Sequence, residues 1–182
     1  SEVETVKKRL EDSTKESEDT VRKVKRELER LIERSEDTLR RIKKRLDDLI
    51  RTIEDLKRRG NSDDRMEKRL EDELKKIEDE LRKYHEEVKR KLDELRKELR
   101  REDERVTREH DTLREELTRR EGGKELLDTL RRLLEENKRR HKETVDEIER
   151  LIKEVERANR EILTRIKKAL DDVRRAVEEI KR

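Results

Sequence analysis

Helix-breaking residues are almost absent from this sequence, and the few that occur divide it into three segments of similar length. The 182 residues include no proline and only three glycines. Gly60 follows the first segment, and the pair Gly122 and Gly123 follows the second. Because proline and glycine are the residues that most disfavour a helix interior, we expect helices over about 2–59, 63–121 and 124–181. Connections this short make consecutive helices antiparallel.

Apolar residues recur at steps of three or four along every segment. Val21, Val24 and Leu28 are typical of the first stripe, and the other segments repeat the spacing with Leu, Ile and Val. Such spacing marks one face of an α-helix, and flanking residues such as Ile32 and Ile50 widen the stripe beyond that of a two-stranded coiled coil. The pattern predicts an all-α fold. We expect a long antiparallel up-down-up three-helix bundle, coiled-coil-like, with residues 1–182 as a single domain.

The first connection carries helix-end residues in the expected order. The basic run 57–59 suits the negative end of a helix dipole, and Gly60 suits the left-handed conformation at which many helices stop. Ser62 is a good N-cap residue, and Asp63 and Asp64 suit the positive end of the next helix. These residues therefore predict the end of one helix and the start of another.

Charged residues make up 60% of the chain and hydrophobic residues 26%, a composition that fits either disorder or long helices. Disordered chains favour Pro, Gly and Ser, whereas this chain is rich in Glu, Lys, Arg and Leu, as long helices are. The 56 basic and 53 acidic residues are interspersed and give a net charge of only +3. This is not the one-sided basic surface of a nucleic-acid-binding protein.

Other classes of protein are excluded by what the sequence lacks. With no cysteine, it has no disulfide and no thiolate metal site. No apolar run approaches the roughly 18 residues of a membrane span, and no segment resembles a targeting signal. We therefore expect a soluble protein, cytoplasmic if produced recombinantly. We expect no cofactor, no membrane or nucleic-acid partner and no small-molecule substrate.

Polar residues interrupt the apolar stripes of the first and third segments at matching heights. Three pairs are each separated by 124 residues, namely Ser13 and Asn137, Ser17 and His141, and Ser35 and Asn159. In an up-down-up bundle the first and third helices run parallel, so a constant separation places each pair at one level. Three pairs at one offset indicate that the polar residues are matched between helices.

The antiparallel second segment adds residues to these levels, and we expect two buried polar layers. Folding about the first connection sets His110 opposite Ser13, Tyr84 and His85 opposite Thr38, and Glu102 and Asp103 near Thr20. The first layer contains Ser13, Thr14, Ser17, Glu102, His110, Asn137 and His141. The second contains Ser35, Thr38, Tyr84, His85 and Asn159. An unpaired buried polar group costs about 1–3 kcal/mol, so these side chains satisfy one another only in the correct register and are expected to provide specificity.

The same layers admit other interpretations. Imidazole and carboxylate groups are metal ligands, but no segment has two histidines four residues apart, and Ser and Asn partners favour hydrogen bonding. Ser17, His141 and Glu102 have the composition of a catalytic triad, but a bundle interior is expected to lack a pocket and an oxyanion hole. His85 lies near the edge of its stripe, so a surface position stays open for it. We predict no metal site, no catalytic residue and no enzyme activity.

The equal segments, the connections 60–63 and 122–123, the core of Leu, Ile and Val, and the matched polar layers resemble de novo designed helical bundles with buried hydrogen-bond networks. The resemblance covers the whole chain, although no single motif is specific. It implies a designed structural scaffold, with no natural biochemical function, whose polar layers specify register. The alternative is a component of a designed oligomer or a helix-binding module, with buried histidines that confer a pH response. The chain is then either a monomer or an oligomer formed through helix packing.

Overall fold

The computed structural model describes residues 2–60, 63–119 and 123–181, and it is helical almost throughout. Helix α1 covers Glu2–Arg59, α2 covers Asp64–Arg119 and α3 covers Lys124–Lys181. Within the described ranges only Gly60, Asp63 and Gly123 are not helical, and none of the residues there forms a strand. The prediction of an all-α, three-helix fold is confirmed.

The end of α1 and the start of α2 show how the first connection is built. Gly60 has a φ of 66°, and its backbone N–H donates to the carbonyl of Leu56 over 3.0 Å. The predicted left-handed stop is therefore confirmed, since glycine adopts this conformation without a Cβ penalty. The N-cap of α2 is Asp63, whose carboxylate accepts a hydrogen bond of 2.7 Å from the backbone N–H of Met66. This corrects the assignment of the cap to Ser62, which lies outside the described residues, as does Gly122.

The chain forms two compact units, each of which contains parts of all three helices. Unit 1 consists of Ser1–Glu29 and Leu92–Lys153, and unit 2 consists of Arg30–Lys91 and Glu154–Arg182. The prediction that the chain is a single domain stays a prediction. The first polar layer belongs entirely to unit 1 and the second entirely to unit 2.

Unit 1 is held by an aliphatic core to which every helix contributes. One cluster consists of Val6, Leu10, Leu113, Leu117, Leu130 and Leu134, all at most 6% exposed. Arg9 forms an ion pair with Glu116, and Lys23 forms one with Glu98. The higher residue number on α1 is paired with the lower one on α2, so these two helices are antiparallel. Hydrogen-bonded partners on α1 and α3 are 123 and 124 residues apart, so these two helices run parallel.

Unit 2 has the same helix directions. Arg45 on α1 bridges Glu73 and Glu80 on α2, and Lys57 on α1 pairs with Glu179 on α3, 122 residues further along the chain. Its buried side chains are again aliphatic, apart from Tyr84, and both Ile42 and Ile77 have an exposed fraction of 0%. Three isoleucines of this unit remain 36–39% exposed, namely Ile32, Ile50 and Ile162.

The N-cap of α2 gives a first testable prediction. Replacing Asp63 with Ala should lower the free energy of unfolding by about 1 kcal/mol, because the N–H of Met66 loses its acceptor. Asp63→Asn keeps a side-chain acceptor at the cap and is the matched control, with little expected change. Guanidinium denaturation of the three proteins makes the comparison, and equal stability of Asp63→Ala and parent would contradict the cap.

Candidate functional site

The first polar layer contains a chain of hydrogen bonds that joins the three helices of unit 1. His110 on α2 lies 2.9 Å from Oδ1 of Asn137 on α3, measured from its Nε2. The amide nitrogen of Asn137 donates to the hydroxyl of Thr14 on α1, and that hydroxyl donates to the carbonyl of Leu10 over 2.8 Å. Because an amide oxygen can only accept, Nε2 of His110 carries the proton. The chain therefore has one consistent direction, from imidazole to backbone carbonyl.

A second chain in the same layer joins Ser17, His141 and Asp103. The hydroxyl oxygen of Ser17 lies 2.9 Å from Nδ1 of His141, and Nε2 of His141 lies 3.1 Å from Oδ1 of Asp103. A carboxylate only accepts hydrogen bonds, so Nε2 carries the proton of the neutral imidazole and Nδ1 accepts from Ser17. Each of the three helices again supplies one member.

Glu102 does not belong to the chain that contains His141. Its carboxylate, 8% exposed, is held by Arg105, whose guanidinium also reaches Glu109, Glu16 and the backbone carbonyl of Ser13. The pKa of Arg105 is raised, mainly by its hydrogen bond to Glu102. The acidic partner of His141 is Asp103 and not Glu102, the residue considered in the alternative interpretation of the sequence. Arg105 was missed there, although its position three residues after Glu102 was a usable signal.

A cavity of about 690 Å³ lies beside this layer, between α1 and α3. Its polar lining includes Ser13, Thr14, Ser17, Asn137 and His141. The hydroxyl of Ser13, in a residue only 2% exposed, has no hydrogen-bond partner among the described residues. The expectation that this layer lacks a pocket is wrong, because short Ser and Thr side chains fill less volume than the Leu and Ile of the flanking stripe.

The second layer is smaller and centres on Tyr84, whose hydroxyl interacts with Asn159 on α3 and with the hydroxyl of Ser35 on α1. The hydroxyl of Tyr84 on α2 donates to Oδ1 of Asn159 on α3 over 2.7 Å. The hydroxyl of Ser35 on α1 donates to the carbonyl of Leu31 over 2.7 Å, and Thr38 accepts a long hydrogen bond of 3.4 Å from Arg41. A cavity of about 340 Å³ adjoins Ser35, Thr38 and Tyr84.

His85 is not part of the second layer. The structure places it on the exposed surface of α2, one position beyond the buried Tyr84. Successive residues of a helix point about 100° apart, so Tyr84 and His85 cannot both face the interior. The inclusion of His85 in a buried layer is therefore wrong.

Burial shifts the pKa of two groups in the layers. Desolvation lowers the pKa of His141 from its ordinary value of 6.5, and the attraction and hydrogen bond of Asp103 act in the opposite direction. Desolvation likewise raises the pKa of Tyr84 above 10.0, with a smaller opposing effect from the hydroxyl of Ser35. Both side chains are thus held in their neutral forms at neutral pH.

Across residues 2–60, 63–119 and 123–181, no three His, Asp or Glu side chains are grouped as a metal ion would require. In the same ranges, none of the helices has a stretch apolar enough to cross a membrane.

No protein-family model matches this sequence, and no curated protein matches it either. A solved structure described as a computationally designed three helix bundle is similar to this chain, with 19% sequence identity and a TM-score of 0.37. The similarity covers 98% of this chain and 83% of that chain.

Tyr84 can be titrated directly, because it is the only tyrosine in the sequence. In the folded protein its ultraviolet absorbance should titrate at a pH above 10.0, since burial raises the pKa of the phenol. The contribution of Tyr84 to stability should be complete below pH 10.0 and should be lost as pH rises from there through the folded pKa, because the unfolded chain releases the proton more readily. Native and guanidinium-denatured samples supply the comparison, and coincident titration curves would show that Tyr84 is not buried.

His141 should make the protein lose stability in mild acid. Its folded pKa is lowered, so the unfolded chain binds the proton more readily. The contribution of His141 is full above pH 6.5, and it is lost as pH falls from there towards the folded pKa. Guanidinium denaturation on both sides of this window should show a larger loss for the parent than for His141→Asn.

The carboxylates titrate in both proteins, so only the difference in pH dependence is informative. His85→Asn, which removes an exposed imidazole, is the matched control and should behave as the parent does. An equal loss of stability in the parent and in His141→Asn would show that His141 does not sense pH.

Proposed function

We propose that this chain is a structural scaffold without a natural biochemical function, in which the two polar layers fix the register of the helices. One observation carries the proposal. Within each unit, polar side chains from different helices meet at one level and bond to each other, as Ser17 does with His141 and Tyr84 with Asn159. Such contacts exist only in one alignment of the helices.

The aliphatic stripes alone do not select an alignment. Burial of Leu, Ile and Val is favourable but has no direction, and a stripe that repeats every few residues packs nearly as well after a shift by one repeat. The polar groups make the shifted alignments unfavourable. Each buried donor or acceptor that loses its partner costs about 1–3 kcal/mol, and the two chains of unit 1 contain several such groups.

The sequence supports a designed origin for this scaffold. Local propensity, helix ends, stripe spacing and polar matching all favour the same fold, and such agreement across levels is a criterion of design. The chain is 60% charged with both signs interspersed and has no cysteine, proline or tryptophan. These are features of the designed bundles that it resembles.

The alternative function, a component of an oligomer or a helix-binding module, depends on unpaired apolar surface. The structure offers the three partly exposed isoleucines of unit 2, Ile32, Ile50 and Ile162. Single exposed apolar residues are normal on monomeric proteins, so they favour this alternative only weakly. The scaffold proposal therefore includes a monomeric state.

Size-exclusion chromatography with light scattering tests the monomeric state. The expected mass is that of one chain, 22.5 kDa, at every concentration, because Ile32, Ile50 and Ile162 are the only large hydrophobic side chains exposed among the described residues. A variant with Ile32, Ile50 and Ile162 changed to Lys is the control and should give the same mass. A dimer or trimer in the parent that dissociates in this variant would favour the oligomer instead.

The role of the first layer in register can be measured as a distance distribution. The chain has no cysteine, so spin labels at two introduced cysteines, Asp19→Cys on α1 and Lys142→Cys on α3, report the alignment of these helices. The parent should give one narrow distribution. A variant with an apolar layer should be at least as stable and should gain a second distance population, from helices shifted by one repeat. Its changes are Thr14→Val, Ser17→Ala, His110→Leu, Asn137→Leu and His141→Leu.

A matched control removes hydroxyl groups of unit 1 that lie outside the layer. Thr112, Thr118 and Thr129 are exposed and bond only to carbonyls of their own helices. Changing these three to Val should leave the narrow distribution unchanged. A single narrow distribution in the apolar-layer variant would show that the layer does not determine register.

A further inference from the structure

Ser17, His141 and Asp103 form a hydroxyl–imidazole–carboxylate chain of the kind that activates a serine for nucleophilic attack. The two contacts, 2.9 Å from Ser17 Oγ to Nδ1 and 3.1 Å from Nε2 to Asp103 Oδ1, are within hydrogen-bond reach for proton transfer. The carboxylate fixes the imidazole tautomer, so the nitrogen that faces the hydroxyl is the unprotonated one. A base oriented by a third group, next to a hydroxyl, is the general signature of an activated nucleophile.

The chain adjoins a space in which a small molecule can reach it. Ser17 and His141 both line the cavity of about 690 Å³, which is within the size range of small-ligand pockets. Charged side chains of α1 and α3, among them Lys15, Glu18 and Arg140, also line the cavity. The three basic residues of the lining are nearly balanced by its four acidic residues, so the lining does not select a ligand of either charge, and an uncharged molecule of modest size fits the cavity.

The cavity also contains a hydrogen-bond donor that the fold does not use. Ser13 lies four residues before Ser17 on α1 and therefore on the same helix face. Ser13 is 2% exposed and lines the same cavity, and its hydroxyl has no partner among the described residues. A free, buried donor near a nucleophile can stabilise the negative charge that develops on a carbonyl oxygen.

We propose that Ser17 is a reactive serine that is acylated by small activated carboxylic esters, with His141 as its general base. Asp103 is a positioning residue, and the hydroxyl of Ser13 is the donor to the carbonyl oxygen. This reactivity goes beyond the structural role of the layer. A purely structural layer has no reason to direct an acyl group to Ser17 rather than to an exposed lysine.

The reaction is an acyl transfer that balances without any co-reactant. The oxygen of Ser17 forms a bond to the ester carbonyl carbon while its proton moves to Nδ1 of His141. The tetrahedral intermediate then collapses, the bond from that carbon to the leaving aryl oxide breaks, and the proton on Nδ1 passes to the aryl oxide. The products are the ester of Ser17 and a phenol. The lowered pKa of His141, caused mainly by burial, keeps the imidazole in its basic form at neutral pH.

The first experiment incubates the folded protein with 4-nitrophenyl acetate and follows nitrophenol release and protein mass. The expected result is one added acetyl group, located on the peptide that contains Ser17, with a matching release of nitrophenol. Ser17→Ala should remove this acetyl group, and Ser17→Cys should retain acylation at position 17. His141→Asn should slow acylation of Ser17 by about 100-fold or more, the usual size of a general-base contribution.

Matched variants separate this reaction from background acylation. Ser35→Ala removes a serine that has no imidazole beside it, and His85→Asn removes an exposed imidazole, so both should leave the acylation of Ser17 unchanged. Circular dichroism establishes that each variant is folded. An unmodified Ser17 peptide in the folded parent, or equal acylation in the parent and in folded His141→Asn, would overturn the proposal.

The positioning role of Asp103 has a separate readout, the pH profile of Ser17 acylation. Three groups on α2 act on the charge of His141, namely Asp103, Glu102 and His110. The charged groups that line the shared cavity include Lys15 and Glu18 on α1 and Glu136, Arg140 and Glu143 on α3. The rate should rise with pH as His141 loses its proton. Asp103→Asn should lower the plateau and move the midpoint to lower pH, because the carboxylate favours the imidazolium. A midpoint that does not move would exclude this role for Asp103.

Discussion

Leucine, isoleucine and valine supply almost all of the buried side chains, and they can leave water only when three helices face one another. Burial of one such side chain contributes about 1.5–3 kcal/mol, whereas an i,i+4 pair of charges on a helix surface contributes only about 0.2–0.5 kcal/mol. The aliphatic stripes therefore drive association of the helices, and the 60% of residues that are charged cover the outside. The polar layers and the helix ends therefore form within helices that the aliphatic stripes already hold together.

Burial of aliphatic side chains has no preferred direction, whereas the hydrogen bonds of the polar layers join particular atoms of neighbouring helices. The proposed gain is specificity, and its structural cost is visible in both units, where each layer adjoins a cavity. In unit 1 the cost includes the hydroxyl of Ser13, which is buried without a partner among the described residues. The cavity makes the packing of unit 1 imperfect. It also lies beside the oriented imidazole of His141, which is why reactivity of Ser17 is proposed.

Much of the fold follows from periodicity, and the limits of periodicity explain what did not follow. The offset of 124 residues pairs Ser17 with His141 correctly, because parallel helices of equal rise keep a constant separation. The antiparallel pairing about the first connection is known only to within a residue or so, and one residue rotates a side chain by about 100°. An error of one residue explains why the sequence could not distinguish Glu102 from Asp103 as the partner of His141. It also explains why the exposed His85 was predicted in a buried layer. The cavity has no sequence signal of its own, since it depends on how far neighbouring side chains reach.

The contacts of His141 underlie both proposed roles of the first polar layer, and a long-range proton–nitrogen correlation spectrum of the imidazoles measures them directly. Asp103 and Ser17 should hold this ring in one tautomer at neutral pH, with the proton on Nε2 and the unprotonated Nδ1 as acceptor. The spectrum should then show two well-separated nitrogen shifts for His141 and an Nε2 proton protected from exchange with water. Exposed His85 supplies the internal reference. If both nitrogens of His141 give the averaged shifts and rapid exchange of His85, the polar layer of unit 1 is not formed as described, and its roles in register and in reactivity are both contradicted.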